Sequence, residues 1–99
     1  MLWKGTQRQN AVRELAERCS RIIVIGSVRS SNSRKLRQTA EAAGVPAILI
    51  SSVEDLPEDF LKDGDIGLTL GASAPEYLLQ EVIGKLVSLG WETAENDAV

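Results

Sequence analysis

The chain has 99 residues, of which 43% are hydrophobic, 25% charged and 4% aromatic, and its formal net charge is −3. This length fits one small domain with a mainly aliphatic core, and no apolar run approaches the ~20 residues that span a membrane. One cysteine, Cys19, and no histidine exclude an internal disulfide and a zinc or iron–sulfur site made by this chain alone. The lone thiol and an N-terminus without the pattern of a secretory leader predict a reducing location, the cytoplasm.

The first half of the chain predicts two helices around a strand. Residues 7–18 repeat apolar side chains at helical spacing, and residues 21–26 (RIIVIG) form a β-branched run typical of a strand buried on both faces. Residues 32–44 predict a second helix that ends at Gly44. The side chains of this helix that we expect to face inward are Leu36, Ala40 and Ala43.

The second half predicts two further strands and a long helix. Residues 45–50 (VPAILI) and 65–71 (DIGLTLG) are apolar runs of strand length. Between them, Pro57 is placed to open a short helix that ends near Leu61. Residues 75–90 carry two adjoining apolar rows at helical spacing and form the clearest predicted helix.

The order of these elements predicts the fold class. Helices that alternate with strands favour a three-layer α/β domain with a small parallel sheet and right-handed crossovers. We expect this single domain to span residues 1–90 and to be followed by a polar, acidic tail at residues 91–99 that frays. Numbered along the chain, the three predicted strands take the order 2-1-3. Open α/β sheets of this kind bind ligands in the crevice between the carboxyl ends of strands 1 and 3.

Two polar loops follow these two strands, SVRSSNS (27–33) and GASAPE (71–76), and each precedes a predicted helix. The unpaired N–H groups and the dipole of a helix N-terminus stabilise an anion. The residues expected to supply donors, positive charge and close backbone approach are Ser30, Ser31, Asn32, Ser73, Arg29, Arg34, Lys35 and Gly71. Two helix ends with several hydroxyls favour a diphosphate over a single carboxylate.

The same residues have a purely structural interpretation. Ser and Asn are preferred helix N-caps, so one residue of SSN is a candidate cap. SAPE fits a capping box with Ser73 at the N-cap, Pro75 in the first turn and Glu76 at the third helical position. Residues 1–38 carry about +7 and residues 39–99 about −10, which fits either an anion-attracting end or an unevenly charged, solvated surface. We expect no nucleic acid partner, because the chain is acidic and no aromatic residues lie among the basic ones.

Four segments resemble the C-terminal third of the 4-hydroxy-3-methylbut-2-enyl diphosphate reductase family: RQNAVRELAE, VIGSVRSSNSRKL, AGVPAILI and GASAPEYLLQEVI. This family contains the iron–sulfur enzyme of the last step of non-mevalonate isoprenoid synthesis, and the resemblance covers residues 6–90. It implies that the substrate's diphosphate is hydrogen-bonded by Ser30, Ser31, Asn32 and Ser73. The supporting residues that it implies are Arg8, Gln9 and Gly71.

The resemblance also implies what surrounds this domain in the family enzyme. Three similar α/β domains enclose a [4Fe–4S] cluster that is held by three cysteines, and the open iron binds the substrate hydroxyl. A reduced ferredoxin or flavodoxin-type donor supplies electrons, and the products are isopentenyl and dimethylallyl diphosphates. This chain has Leu2 at the place of the family's third cysteine. Cys19 lies on the inward face of the first predicted helix, so we expect it to belong to the core and not to the cluster.

The sequence therefore predicts a diphosphate-binding C-terminal domain, or a truncated relative, of this oxidoreductase family, inactive as a reductase by itself. The expected partners are the isoprenoid diphosphate, the sister domains and the electron donor, with no nucleic acid and no membrane among them. The alternative is a stand-alone, non-catalytic α/β module that binds a phosphorylated metabolite or a protein partner.

Overall fold

The structure, a computed structural model, describes residues 1–5, 9–57, 59, 64–71 and 74–93. In chain order its elements are β1 (Leu2–Gly5), α1 (Gln9–Arg18), β2 (Arg21–Ile25), α2 (Ser31–Ala42), β3 (Ala47–Ile50), a 3-10 turn (Val53–Asp55), β4 (Ile66–Leu70) and α3 (Glu76–Ser88). The strands form one parallel sheet in the order β1-β4-β2-β3. The predicted α/β class with a small parallel sheet is confirmed. No helix in the described part of the chain has the length and apolarity that crossing a bilayer requires.

The three predicted strands correspond to β2, β3 and β4, and their order in the sheet is the expected 2-1-3. The sequence analysis missed β1, which pairs with β4 from Leu2↔Ile66 to Gly5↔Thr69. Its sequence, LWKG, has one residue with a strand preference, Trp3, and no β-branched residue, so strand propensity marks it only weakly. Pairing with β4 and the burial of Leu2 stabilise it. As a result β4 is an interior strand and not an edge.

Two apolar cores lie on opposite faces of the sheet. The α1–α2 core consists of Val12, Leu15, Cys19, Ile22, Val24, Leu36, Ala40 and Val45. The α3 core consists of Leu2, Ile23, Ile25, Ile50, Ile66, Leu68, Leu70, Leu79, Val82 and Leu86. Successive strand residues point to opposite faces, so the apolar run of β2 supplies both cores, whereas β4 gives its three large apolar side chains to the α3 core.

Cys19 lies in the α1–α2 core, as predicted, and is 5% exposed. Burial and, to a lesser extent, the Asp65 carboxylate raise the pKa of its thiol to about 12. The close packing of α1 depends on Gly67 of β4, where a Cβ would lie 3.2 Å from the Leu15 Cβ and 3.3 Å from the Cys19 sulfur. The thiol is therefore a neutral core group.

Helix α2 ends as the sequence predicts. Gly44 has a φ of 88°, which favours glycine because other side chains are strained there. Its N–H donates to the Glu41 carbonyl at 3.0 Å, and the Val45 N–H donates to the Ala40 carbonyl at 3.2 Å. The prediction that Ala43 faces inward is wrong, because the helix ends at residue 42 and Ala43 is exposed.

The predicted fraying of the C-terminal tail is wrong for its first three residues. The Leu2 N–H donates to the Glu92 carbonyl at 2.7 Å, and Leu2 forms a parallel bridge with Thr93. Trp91 packs against the α3 core. Residues 94–99 lie outside the described residues, and the domain boundary at residue 90 stays a prediction.

The other tryptophan covers the opposite core. Trp3 packs against the α1–α2 core, and the Arg18 guanidinium lies 5.4 Å from the centroid of its ring. The two tryptophans thus cover opposite faces of the sheet. The short helix predicted to open at Pro57 lies largely outside the described residues, and the 3-10 turn precedes it.

Candidate functional site

The carboxyl edge of the sheet is the edge at which β1, β2 and β4 lead into α1, α2 and α3. Three helix N-termini therefore lie along it. Helix α2 packs on the same face of the sheet as α1, whereas α3 packs on the opposite face. The chain leaves the neighbouring strands β2 and β4 toward opposite faces, so the predicted ligand-binding position between their carboxyl ends is present.

The first loop ends in a helix cap formed by Ser30. Within the loop, the Ser30 N–H donates to the Ser27 carbonyl at 3.0 Å, and the Arg29 N–H donates to the Ser27 Oγ at 3.1 Å. Ser30 has an extended backbone, and its Oγ accepts the Ser33 N–H at 3.3 Å. Its carbonyl accepts the Arg34 N–H at 3.1 Å. The structural interpretation of the SSN motif therefore holds for Ser30, whose hydroxyl proton still remains a donor.

The residues around the cap place hydrogen-bond donors and positive charge at the start of α2. Ser31 is exposed and is the first residue of α2, where helix geometry directs its N–H out of the first turn. Asn32 is half-buried at the second position. Arg29, Arg34 and Lys35 are exposed, and within the described part of the chain they form no ion pair. This end of α2 therefore combines hydrogen-bond donors with uncompensated positive charge.

The second loop starts at Gly71, directly after β4. Its N–H donates to the Ile25 carbonyl at 2.8 Å, and its carbonyl accepts the Ala74 N–H at 3.0 Å. The first bond continues the pairing of β4 with β2 to the very edge, which places the start of this loop beside the start of the other. Ser73, the fourth predicted diphosphate ligand, lies outside the described residues, so its role stays a prediction.

The predicted capping box is wrong in its register. Helix α3 begins at Glu76, and the position before it is Pro75, which makes no side-chain cap. Glu76 is therefore the first helical residue and not the third. Pro75 fits because it has no N–H to leave unpaired, and its carbonyl accepts the Leu78 N–H at 3.2 Å.

The two supporting residues near the N-terminus are only partly described. Arg8 lies outside the described residues. Gln9 begins α1, which follows β1, and the last residue of β1, Gly5, is paired with Thr69 of β4. The backbone of Gln9 therefore begins the helix that follows β1 at the same edge of the sheet as the two loops.

Sequence reasoning missed Ser33, whose side chain lies between the two loops. It is fully buried, and a Cβ added to Gly26 or to Gly71 would overlap its Oγ. Gly26 follows β2 and Gly71 follows β4, so Ser33 contacts the first loop residue after each strand. A signal for this packing was present, because both predicted strands end in glycine and the motif SSNS ends in a small residue.

A carboxylate marks the β3 side of this edge. The Oδ2 atom of Asp55 accepts the Ser51 hydroxyl at 2.8 Å and the Ser51 N–H at 3.4 Å, with the Ser52 hydroxyl at 3.5 Å. These hydrogen bonds, that of the Ser51 hydroxyl above all, lower the pKa of Asp55. The fixed negative charge beyond β2 disfavours an anion on that side, which leaves the β2–β4 position as the better one.

A groove of about 720 Å³ lies away from the sheet edge, between α1 and α2. Its lining residues are Arg13, Ala16, Glu17, Lys35, Gln38, Thr39, Ala42 and Ala43. Both signs of charge line it, and Lys35 is its single member among the predicted site residues. The groove lies away from the ends of β2 and β4, so it is not the position at which the sequence predicts the diphosphate.

The donor set of this chain does not fit a [4Fe–4S] cluster. The sequence has one cysteine and no histidine, and Cys19 is a buried, neutral thiol, whereas clusters bind thiolates. Leu2, which the resemblance places at the position of the family's third cysteine, is buried in β1. Among the described residues, no three His, Cys, Asp or Glu side chains lie together as a metal site.

Comparison with known proteins identifies the family to which the chain is similar. The model of the family described as LytB protein matches residues 4–87. The 4-hydroxy-3-methylbut-2-enyl diphosphate reductases of Actinobacillus succinogenes and Mannheimia succiniciproducens are 50% and 52% identical over 91 residues, which cover 91% of this chain and 29% of each relative. This chain thus spans about 29% of the length of these curated relatives.

Solved structures agree with the sequence relatives. The E-1-hydroxy-2-methyl-but-2-enyl-4-diphosphate reductase of Plasmodium falciparum is similar with a TM-score of 0.72 and 32% identity, over 94% of this chain and 31% of that one. A structure of (E)-4-hydroxy-3-methyl-but-2-enyl diphosphate reductase, the terminal enzyme of the non-mevalonate pathway, gives a TM-score of 0.77 and 26% identity over 82% of this chain and 29% of that one. With 84 of its 99 residues inside the family match, the chain belongs to the LytB protein family.

Proposed function

We propose that this chain is the C-terminal, diphosphate-binding domain of a 4-hydroxy-3-methylbut-2-enyl diphosphate reductase, or a truncated relative of it. The observation that carries the proposal is the position of the SSN motif. It lies at the N-terminus of α2, at the point where β2 and β4 lead to opposite faces of the sheet. The names of the relatives, which are reductases of an isoprenoid diphosphate, support the choice of ligand.

Each ligand group has a physical role in this proposal. The Ser31 N–H and hydroxyl and the Asn32 amide donate to phosphate oxygens, and the α2 dipole stabilises their negative charge. Ser30 caps the helix and donates its remaining proton. Ser73 donates from the loop after β4, and Gly71 lets the backbone approach. Hydrogen bonds to a charged acceptor are stronger than those between neutral groups, so a few of them suffice to orient the substrate's tail.

The reductive chemistry belongs to residues that this chain lacks. In the full-length enzyme an iron–sulfur cluster, held by residues that lie outside this chain, would supply the electrons for the reduction. We propose that the cluster ligands and the contact with a ferredoxin or flavodoxin-type donor lie in sister domains outside this chain. The 99-residue chain alone is then inactive as a reductase. A cytoplasmic location is part of this proposal, supported by the single, reduced and buried thiol.

A titration of the chain with pyrophosphate, followed by amide NMR, tests the proposal. Without the rest of the enzyme we expect a dissociation constant of about 1 mM, equivalent to about −4 kcal/mol, that weakens with salt. The amides of Ser31 and Asn32 should shift, whereas that of Ser20, at the opposite edge of the sheet, should not.

A matched pair of variants sharpens the test. Asn32→Ala should weaken pyrophosphate binding, whereas Gln38→Ala removes the same kind of side chain from the exposed face of the same helix and should not. Unmoved Ser31 and Asn32 amides at high millimolar pyrophosphate, or equal effects of the two variants, would refute a diphosphate site at the start of α2.

A further inference from the structure

The buried hydroxyl of Ser33 has no role among the proposed ligands of the diphosphate. The residue is fully buried, and its Oγ has no hydrogen-bond partner among the described residues. An unpaired buried hydroxyl is costly, and an alanine of similar shape would avoid the cost. Its backbone N–H already completes the cap with Ser30. Hydrogen bonding therefore does not explain why this position holds a serine, and we consider instead the space that its oxygen fills.

That space is the gap between two strand ends. A Cβ on Gly26 would overlap the Ser33 Oγ and lie 3.2 Å from the Ser33 Cβ, and one on Gly71 would overlap the same oxygen and lie 3.4 Å from the same Cβ. Neither glycine has a positive φ, so the backbone at both positions would accept alanine. The Ser33 side chain, its oxygen above all, therefore leaves no room for a Cβ at Gly26 or Gly71.

We propose that Ser33 is a positioning residue that sets the distance between the two halves of the diphosphate site. It belongs to α2, which carries Ser31 and Asn32, and it touches Gly71, from which the loop with Ser73 starts. Any increase in bulk at this contact moves the start of α2 away from the end of β4. The donors of Ser31 and Asn32 then lie farther from the crevice between the ends of β2 and β4. The inference rests on the proposed function, because it concerns the spacing of that site.

A double-mutant cycle between Gly71→Ala and Ser33→Ala tests this role. Alone, Gly71→Ala forces the helix start and the strand end apart and should weaken pyrophosphate binding about ten-fold, since small displacements of positioned groups have effects of this order. In the Ser33→Ala background the added methyl takes the space of the missing oxygen. It then meets the remaining Cβ at 3.4 Å and the Ile25 carbonyl at 3.5 Å. The same substitution should there change affinity less than about two-fold, which gives a large coupling between the two sites.

Gly26→Ala tests whether the size of the rescue by Ser33→Ala follows the distance between the added methyl and the Ser33 Cβ. After removal of the oxygen its methyl would still lie 3.2 Å from the Ser33 Cβ, closer than the 3.4 Å at Gly71. Ser33→Ala should therefore rescue Gly26→Ala less completely than it rescues Gly71→Ala. A rescue of the same size at both glycines would contradict this contact geometry and overturn the proposal.

Gly67→Ala is the matched control for general destabilisation. It adds a methyl to the same strand and face, 3.2 Å from the Leu15 Cβ, but away from the carboxyl edge. It should lower the urea midpoint of unfolding and leave pyrophosphate affinity unchanged. If Gly67→Ala weakens binding as much as Gly71→Ala does, the effect is one of stability and the positioning role is refuted.

The outcomes separate the two proposals. A wild-type chain that does not bind pyrophosphate refutes the proposed function, and the positioning role falls with it. A wild-type chain that binds, combined with no coupling between Gly71→Ala and Ser33→Ala in affinity, refutes the positioning role alone. Coupling that appears in the unfolding midpoints but not in affinity also refutes the positioning role, because Ser33 would then be a packing residue only.

Discussion

Replacement of Ser30 or Ser31 by alanine should separate helix capping from anion binding. Ser30 supplies the N-cap bond of α2, with 3.3 Å between its Oγ and the Ser33 nitrogen, whereas Ser31 is exposed. Loss of a serine cap costs about 0.5–2 kcal/mol, and the long bond favours the lower half of that range. With a slope of about 1 kcal/mol per molar urea for a chain of this size, Ser30→Ala should lower the unfolding midpoint by roughly 0.5–1 M.

Ser31→Ala is the internal control in this experiment. An exposed residue at the first helical position changes stability by less than about 0.5 kcal/mol, and alanine is a good helix former there. Its urea midpoint should match that of the wild type, while its pyrophosphate affinity falls because a donor is lost. Equal midpoints for Ser30→Ala and the wild type would refute the capping role. A Ser31→Ala midpoint below that of Ser30→Ala would show that the two roles are reversed.

Three further substitutions or reactions follow from backbone geometry and burial. Gly44→Ala should destabilise the fold by about 1 kcal/mol because of the φ of 88° at that position, whereas Gly84→Ala inside α3 should stabilise it by about 0.5–1 kcal/mol. Neither added methyl has a neighbour within 4 Å, so urea unfolding of the two variants compares the effect of backbone conformation alone. A loss of stability in Gly84→Ala would contradict this explanation. The Cys19 thiol should resist iodoacetamide at pH 8 unless the fold opens. Because its pKa is raised from 9.0 to about 12, folding favours the neutral thiol, and its contribution to stability is complete below pH 9 and is lost as the pH rises toward 12. Rapid alkylation of the native chain would refute the burial of the Cys19 thiol.

The parts of the fold that the sequence predicted are those fixed by local pattern. The β-branched run at residues 21–26 and the apolar run at residues 65–71 are short and bounded by polar residues or glycine, a pattern typical of strands inside a parallel sheet. Gly44 ends α2 because the chain needs a positive φ there. Strand β1 escaped prediction because Trp3 and Lys4 carry no strand pattern, and only the partner strand β4 makes these residues extended.

The position of the first candidate loop in the fold was predictable for the same reason. Ser30 and Ser31 belong to a motif at a helix start, which sequence spacing identifies. Ser33 belongs to the same motif, yet its role depends on Gly26 and Gly71, and the contact among the three exists only once α2 lies across the sheet. A short-range pattern finds polar residues at the start of a helix, but it does not find contacts between residues that follow different strands.

The charge asymmetry of the sequence also takes a different form in three dimensions. Helices α1 and α2 carry five basic and three acidic side chains, whereas α3 and the 3-10 turn carry one basic and four acidic ones. The basic and acidic halves of the sequence thus form two layers of opposite net charge on the two faces of the sheet, and not two oppositely charged ends of the molecule. An anion between β2 and β4 lies on the boundary between these layers, so the net attraction of the layers partly cancels there. Exposed charges beyond about 8 Å are also screened at physiological ionic strength. The N–H groups and hydroxyls at the start of α2 act in direct contact, and they, more than the basic surface, decide whether this edge of the sheet holds a diphosphate.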